Sequence, residues 1–464
     1  MSAAAAYARL AAGDAARRRE FDVARRRAVL ARLAEEIRAR EGEIMAALAA
    51  DLAKPEVEVR ISEIIPVLSE IRHSARHLKR WARPRRVWPT LAMLGTRGTI
   101  RPEPKGTVLI IAPWNYPFCL ALGPLVSAIA AGNAAVIKPS ELAPATSALI
   151  ASLVAAALPE DLVTVVEGGV ETSTELLAQP FDHIFFTGSP AVGRVVMAAA
   201  AKTLASVTLE LGGKSPVILG DGADVQKAAR MLAWGKFQNA GQTCIAPDHV
   251  YVPRAMEPAL TAALRAEIAR MYGGAPKESP SYARLIGARH FARLKGMLDE
   301  ALAGGATLIA GGAAEEGARY LAPTVLTSLP GETALMREEI FGPVLPVIAY
   351  DDLEAVLRGI EAGEKPLALY LFARDRALIA RVTASTTSGA LGVNVTLAHF
   401  LHLNLPFGGI GNSGLGAAHG RWGFAAFSHE KPILENRFAV LDPLMPPYTK
   451  LSARIARMVQ KLVG

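Results

Sequence analysis

The feature that most constrains this chain is an alternation of element types between about residues 107 and 210. Short apolar runs at 107–112, 134–138, 162–167, 183–187 and 206–210 read as strands. Alanine-rich stretches near 120–131, 145–157, 173–178 and 192–204 read as the helices between them. Strands that lack a polar face and are joined by helices belong in a parallel sheet covered on both sides. In such doubly wound sheets, ligands bind beyond the carboxyl ends of the strands. A second α/β pattern follows Gly213, with strands expected at 216–219, 250–252, 345–349, 368–372 and 392–395. Upstream, helical periodicity predicts two helices, at about 26–52 and 57–81, with Leu30, Leu33, Ile37, Ile44 and Leu48 on the inner face of the first. Residues 87–104 change to a Thr-, Pro- and Gly-rich excursion that reads as a hairpin.

The residues with chemical potential fall at the strand ends. Pro113-Trp114-Asn115-Tyr116-Pro117 follows the first strand, and a side-chain amide there can donate to a developing oxyanion. Asn beside Pro is also ordinary turn chemistry. Lys138-Pro139-Ser140-Glu141 follows the second strand. An ammonium and a carboxylate so placed can bind ribose hydroxyls, and the carboxylate suits a free 2′-hydroxyl and opposes a 2′-phosphate. A surface charge pair is the plainer reading. Phe185-Phe186-Thr187-Gly188-Ser189-Pro190-Ala191-Val192-Gly193 is a strand, a tight turn and a helix start whose N–H groups suit a pyrophosphate. It is not a Walker A loop, because Arg194-Val195 stand where Lys and Ser or Thr are needed. Glu210 ends the last strand before Gly212-Gly213 and can act as a general base if burial raises its pKa.

Cys244 lies in Gln238-Asn239-Ala240-Gly241-Gln242-Thr243-Cys244-Ile245-Ala246-Pro247. Small and turn-forming residues surround it, and Gly241 permits close backbone approach. Such a thiol is either a nucleophile or a buried small hydrophobe. Downstream come Glu338-Glu339-Ile340-Phe341-Gly342-Pro343 and the glycine-rich loop Pro406-Phe407-Gly408-Gly409, expected to return the chain toward the first sheet.

Composition narrows the function classes. Two cysteines cannot make a disulfide framework and fit a reducing compartment. The net charge of +8 permits attraction to anionic surfaces. The basic residues are dispersed and carry no zinc-knuckle or RNA-motif signature, so no nucleic-acid partner is expected. His73 and His77 have metal-ligand spacing but no following Glu and no third ligand, so no metal is expected. The N-terminus lacks a charged segment followed by an apolar core, and no uncharged stretch is long enough to span a bilayer, which together predict a cytoplasmic protein. The segment 450–463 is amphipathic, with Leu451, Ile455, Met458 and Leu462 in one stripe and Lys450, Arg454, Arg457 and Lys461 in another. It suits peripheral contact with a membrane, or packing on the chain's own body or a partner subunit.

The ordered set Asn115, Lys138 with Glu141, Gly188 with Gly193, Glu210, Cys244, Glu339 with Phe341, and Pro406-Phe407-Gly408-Gly409 resembles the aldehyde dehydrogenase superfamily over nearly the whole chain. The Thr243–Asp248 context, Ala418-His419-Gly420 and Phe427-Ser428-His429 resemble its class 3 members most, a class that includes fatty, aromatic and coniferyl-type aldehyde dehydrogenases. The resemblance implies a Rossmann-like NAD(P)-binding domain at 1–86 and 100–210 and a second α/β catalytic domain at 211–400. It also implies a small β bridging or oligomerisation extension at 87–99 and 401–440, with an amphipathic tail at 441–464. Cys244, Glu210 and Asn115 would be catalytic. Trp114, Lys138, Glu141, Gly188, Ser189, Gly193, Leu211, Glu339 and Phe341 would contact NAD, with NADP also accepted. Tyr116, Thr243, Ile245, Phe400 and Phe407 would form a pocket for medium- or long-chain aliphatic or aromatic aldehydes. A homodimer is implied. Glu210 favours water over coenzyme A as the acceptor. The alternatives are a coenzyme A-acylating relative, a cysteine hydrolase pairing Cys244 with a histidine, and a silent, membrane-associated binding protein on the same fold.

Overall fold

A computed structural model describes residues 2–438 and 442–463. Its first sheet has the strand order Gly414–Leu415, Ser206–Leu211, His183–Gly188, Thr107–Ile111, Ala134–Lys138, Val163–Val165. The five strands expected from the first alternation are all in it, and they pair in parallel. Val108, Leu109 and Ile110 are fully buried, as a strand covered on both faces requires. The glycine-rich loop does return to this sheet: Gly414 pairs antiparallel with Glu210.

The second sheet runs Thr307–Ala310, Thr324–Thr327, Val344–Tyr350, His249–Pro253, Pro216–Leu219, Ala368–Phe372, Ala390–Val393. Its first two strands were not expected. Thr307–Ala310 is an edge strand with no buried residue, and Thr324–Thr327 is buried but has only two consecutive apolar residues between threonines, so neither shows a sustained apolar run. A third, antiparallel sheet joins Arg85–Val87, Thr96–Pro104 and Ser428–Asn436. The register runs from Pro104 opposite Ser428 to Thr96 opposite Asn436.

The N-terminal helices correct the sequence reading in three places. Ala3–Ala12 and Asp14–Glu20 are helical, and the sequence reading placed no element there. The helix expected over 26–52 is two helices, Val23–Ala39 and Glu41–Leu52, separated at Arg40, whose backbone leaves the helical region (φ −106°, ψ 22°). The helix expected over 57–81 is interrupted by a π-helical turn at Arg60–Ile64 before Ile65–Trp81. Pro66 supplies the cause. It has no N–H for the preceding turn and its ring crowds that turn's carbonyl, which a wider turn accommodates. Leu30, Leu33, Ile37, Ile44 and Leu48 are fully buried against the first sheet's helical layer, as their spacing predicted. His77 stacks on Trp81, and His73 packs against both rings at a tilt.

Candidate active site

The loop before Cys244 is built from an unfavourable backbone. Asn239, Ala240 and Gly241 all have positive φ (51°, 50° and 75°). Left-handed residues other than glycine cost about 1–2 kcal/mol each, so surrounding contacts must hold them. They do so through buried amides. Asn239 Nδ2 donates to the Asn115 carbonyl at 2.9 Å, and the Asn239 N–H donates to Glu58 at 3.0 Å. Gln242 Nε2 donates to the carbonyls of Asn239 and Arg284, both at 3.0 Å, and its Oε1 accepts from the Ile286 N–H at 2.9 Å. At Gly241 a side chain would collide with the Gly342 carbonyl, so this glycine lets the Phe341-Gly342-Pro343 stretch lie directly on the cysteine loop.

Cys244, Glu210, Tyr116, Thr243, Ile245, Phe400 and Phe407 line one mainly apolar cavity of about 200 Å³. Tyr116 Oη and Thr243 Oγ1 are hydrogen-bonded at 2.6 Å across it. Tyr370 Oη donates to the Ile245 carbonyl at 2.6 Å and fixes the backbone just after the thiol. Asn115 is buried behind this wall. Its Nδ2 donates to the Gln242 carbonyl at 3.0 Å, two residues before Cys244. Lys54, fully buried, bonds Glu63 at 2.5 Å and the Asn115 carbonyl at 3.1 Å, and its ammonium lies 4.1 Å from the Tyr116 ring centroid.

The cavity's electrostatics separate its two reactive groups. Glu210 is buried, and neither carboxylate oxygen has a hydrogen-bond partner among the described residues. Desolvation alone pushes its pKa well above the usual carboxyl range. The Cys244 thiol is pushed up to about 12, first by its low-dielectric surroundings and then by the Glu339 and Glu210 carboxylates. The N–H groups of Cys244 and Ile245 oppose that shift. Among the described residues no histidine is hydrogen-bonded to Cys244. His419, which lines the same cavity, is pushed down to about 4 by burial and stacks 5.2 Å from Phe407. His419, Trp234, Leu397 and Glu70 also line this cavity, and no sequence motif marks them as pocket residues. Of these, only His419 belongs to a quoted family-like stretch, Ala418-His419-Gly420.

The remaining predicted residues lie outside that cavity's lining: Trp114, Lys138, Glu141, Gly188, Ser189, Gly193 and Leu211 at or just beyond the carboxyl ends of the first sheet's strands, and Glu339 and Phe341 on the segment after the short helix Ala334–Arg337. Lys138 Nζ pairs with Glu141 at 2.6 Å. Burial raises the Glu141 pKa, but Lys138 and a backbone N–H outweigh it and leave the carboxyl below its usual range. Ser189 caps the helix Pro190–Thr203, with Pro190 in its first turn. A Cβ at Gly193 would come 2.9 Å from Leu211 Cδ2, so glycine there lets the helix sit against the strand. A Cβ at Gly212 would fall on the Glu339 carboxylate. Glu339 is pushed up to about 8, mainly by desolvation, although the Gly213 N–H opposes it. Trp114 meets Phe341 edge-on at 5.3 Å and His290 at 4.6 Å. A capped helix start, one ammonium and two carboxylates, with glycines that let Leu211 and Glu339 pack close to the backbone, are a donor set that fits a dinucleotide's pyrophosphate and two ribose diols.

The family model described as the aldehyde dehydrogenase family matches residues 1–433. Aldehyde dehydrogenase family 3 member A2 of Pongo abelii is 45% identical over 398 residues, covering 86% of this chain and 81% of its own. The 4,4'-diaponeurosporen-aldehyde dehydrogenase of Staphylococcus aureus is 40% identical over 428 residues, covering 92% and 93%. Among solved structures, the substrate-bound state of Staphylococcus aureus AldH superimposes with a TM-score of 0.91 at 39% identity, covering 94% of this chain and 95% of that one. With a cavity that holds a thiol and a carboxylate beside a dinucleotide-type sheet, and with these matches over nearly its whole length, the chain belongs to the aldehyde dehydrogenase family of NAD(P)-dependent oxidoreductases.

Proposed function

We propose that the chain converts apolar medium- or long-chain and aromatic aldehydes to carboxylic acids, with Cys244 as nucleophile, Asn115 as oxyanion donor and Glu210 as the base that activates water. One observation carries this reading: an unpartnered buried carboxylate and a thiol share a single apolar cavity. The Cys244 thiol gives up its proton to solvent and adds as the thiolate to the aldehyde carbon, and the oxygen takes the negative charge. The Cys244 N–H and the Asn115 amide are the donors for that oxygen. A nicotinamide dinucleotide, when bound, supplies the hydride acceptor that takes the thiohemiacetal to a thioester. Glu210 then takes a proton from water, the hydroxide adds to the thioester, and the Cys244 thiolate leaves from a carboxylic acid. Desolvation raises the Glu210 pKa, which strengthens the carboxylate as a proton acceptor.

Lys138, Glu141, Ser189, Gly188, Gly193 and Leu211 would hold the adenosine and pyrophosphate side, with Trp114, Glu339 and Phe341 on the nicotinamide side. Glu141 beside Lys138 supports NAD over NADP, because a second negative charge at the ribose would face a carboxylate. The aromatic and aliphatic wall of Tyr116, Ile245, Phe400 and Phe407 supports apolar substrates. The test is the absorbance of reduced cofactor with acetaldehyde, decanal and coniferaldehyde. Decanal and coniferaldehyde should give kcat/KM values at least tenfold above acetaldehyde, by roughly 1.4 kcal/mol of extra apolar burial. Equal values would overturn the substrate assignment.

Two associations belong to the same reading. Ser428–Asn436 is the outer strand of its sheet, nine residues long and mostly exposed, and such an edge is a template for pairing with a second copy. A homodimer through this edge should become monomeric when proline replaces a residue whose N–H faces outward, by light scattering. On the helix Lys450–Val463, Leu451 and Met458 are exposed, and Lys450, Arg454, Arg457 and Lys461 supply the basic stripe beside them. The Leu462 side chain lies outside the described residues. This face suits an anionic membrane surface, and flotation with anionic vesicles that survives removal of 450–464 would contradict it. Among the described residues no helix is long and apolar enough to cross a membrane.

A further inference from the structure

The catalytic cavity meets a second hollow of about 440 Å³, and Ile65 and Ser69 line both. The second hollow lies between the helices Val23–Ala39 and Ile65–Trp81. Ile65, Ser69 and Arg72 are spaced i, i+4 and i+7 and so share one face of their helix. Arg27 and Arg38 stand on one face of the opposing helix, eleven residues and roughly 16 Å apart along its axis. All three arginines line the hollow, all are exposed, and none makes an ion pair among the described residues. Glu35 is the one carboxylate in the lining, so cations outnumber it.

Ile65 is 48% exposed, which places the shared residues where the apolar cavity reaches solvent. An aldehyde that enters carbonyl-first toward Cys244 leaves its far end there. We propose that the hollow carrying Arg27, Arg38 and Arg72 is a subsite for an anionic group at the distal end of the substrate, so that long-chain aldehydes with a terminal carboxylate are preferred over plain alkanals of the same length. The chain's methylenes fill the apolar cavity and the carboxylate stays hydrated among the guanidiniums, which avoids the cost of burying a charge. Short substrates with a terminal carboxylate gain nothing, because their charge would remain inside the apolar section. The inference rests on the aldehyde-oxidising reading above and refines its substrate class.

The experiment compares kcat/KM at low ionic strength for alkanals from octanal to hexadecanal with that for the matching ω-oxo carboxylates. The carboxylate-to-alkanal ratio should rise with length to about fivefold and fall toward one as salt is added. The triple variant Arg27→Ala/Arg38→Ala/Arg72→Ala should lose that preference. Arg72→Glu should lower the ratio below one and favour aldehydes ending in trimethylammonium. A ratio at or below one at every length, or one untouched by the triple variant, overturns the proposal. So does a ratio of one in a protein whose binding to anionic vesicles the triple variant abolishes, which would assign the hollow to a lipid surface. If no alkanal is oxidised at all, the failure is that of the underlying reading; if alkanals are oxidised without a carboxylate preference, only the subsite fails.

Discussion

Lys214 Nζ lies 2.5 Å from Asp248 Oδ2, and the same ammonium donates to the carbonyls of Leu335 and Glu338 at 2.7 and 2.8 Å. Asp248 in turn accepts from the Ile340 N–H at 2.9 Å. One ion pair thus joins three separated stretches: the Gly-Gly-Lys turn after Glu210, the end of the cysteine loop, and the Glu338–Phe341 segment. Burial would raise the Asp248 pKa, but Lys214, His249 and Lys236 outweigh it and hold the carboxyl well below its usual range.

Lys214→Met should therefore destabilise the fold by about 3 kcal/mol, because it takes the nearest cation from a buried carboxylate that keeps only His249, the Ile340 N–H and the more distant Lys236. Lys214→Met/Asp248→Asn should recover part of that loss. Denaturant unfolding checks both. Because the Asp248 pKa is depressed by folding, its contribution is present above the unfolded-state value near 3.8 and is lost as pH falls below it. The single variant should consequently have its smallest deficit under acid conditions.

Removing the ionisable group from Glu210 should separate two properties of the cavity. Glu210→Gln should lower aldehyde turnover by about 10²–10⁴-fold, the usual size of general-base catalysis. Alkylation of Cys244 by iodoacetamide should move the other way at alkaline pH, because the Glu210 charge helps keep the thiol protonated. In the free wild-type protein, the alkylation rate should climb through pH 10 without a plateau, since the thiol titrates at about 12. A plateau below pH 9 would show a thiol already activated by the chain alone.

Glu70 makes a distinct pH prediction. It is 3% exposed and pushed up to about 7 by burial, against hydrogen bonds from the Gly420 N–H and Ser74. Its folded pKa is above its unfolded value, so its contribution is complete below about 4.5 and is lost as pH rises through about 7. Between pH 5 and pH 9 it should cost the wild type about 3 kcal/mol. Glu70→Gln keeps an acceptor for Gly420 and removes the ionisation. Its stability should fall less over that interval, as thermal unfolding at the two pH values would reveal.

The sequence carried the two central sheets because their inner strands are continuous apolar runs with helices between them. Ala134–Lys138, Pro216–Leu219 and Ala368–Phe372 are strands at their expected boundaries, and each is fully buried. Local pattern failed where tertiary contact decides. Thr307–Ala310 is a strand only because Thr324–Thr327 lies beside it. The break at Arg40 leaves no mark in a hydrophobic pattern that continues through it. In the site, motif order brought Cys244, Glu210 and the pocket residues to one cavity, but it could not show that Asn115 is held by Gln242 or that Lys54 reaches the Asn115 carbonyl. Those contacts join residues from different elements, and nothing in their separate neighbourhoods announces them. Lys214 and Asp248 stood inside quoted motifs without an assigned role, because their pairing exists only in three dimensions.

If the substrate's acyl group passes through Cys244 and needs Glu210 for its release, removing the Glu210 carboxylate should trap it on the thiol. The direct measurement is intact-protein and peptide mass spectrometry of Glu210→Gln after incubation with NAD and decanal. A decanoyl thioester should appear on the peptide that contains Cys244, absent when NAD is omitted and absent in Glu210→Gln/Cys244→Ala. Full turnover by Glu210→Gln with no adduct, or an adduct on the buried Cys119 instead, would contradict it.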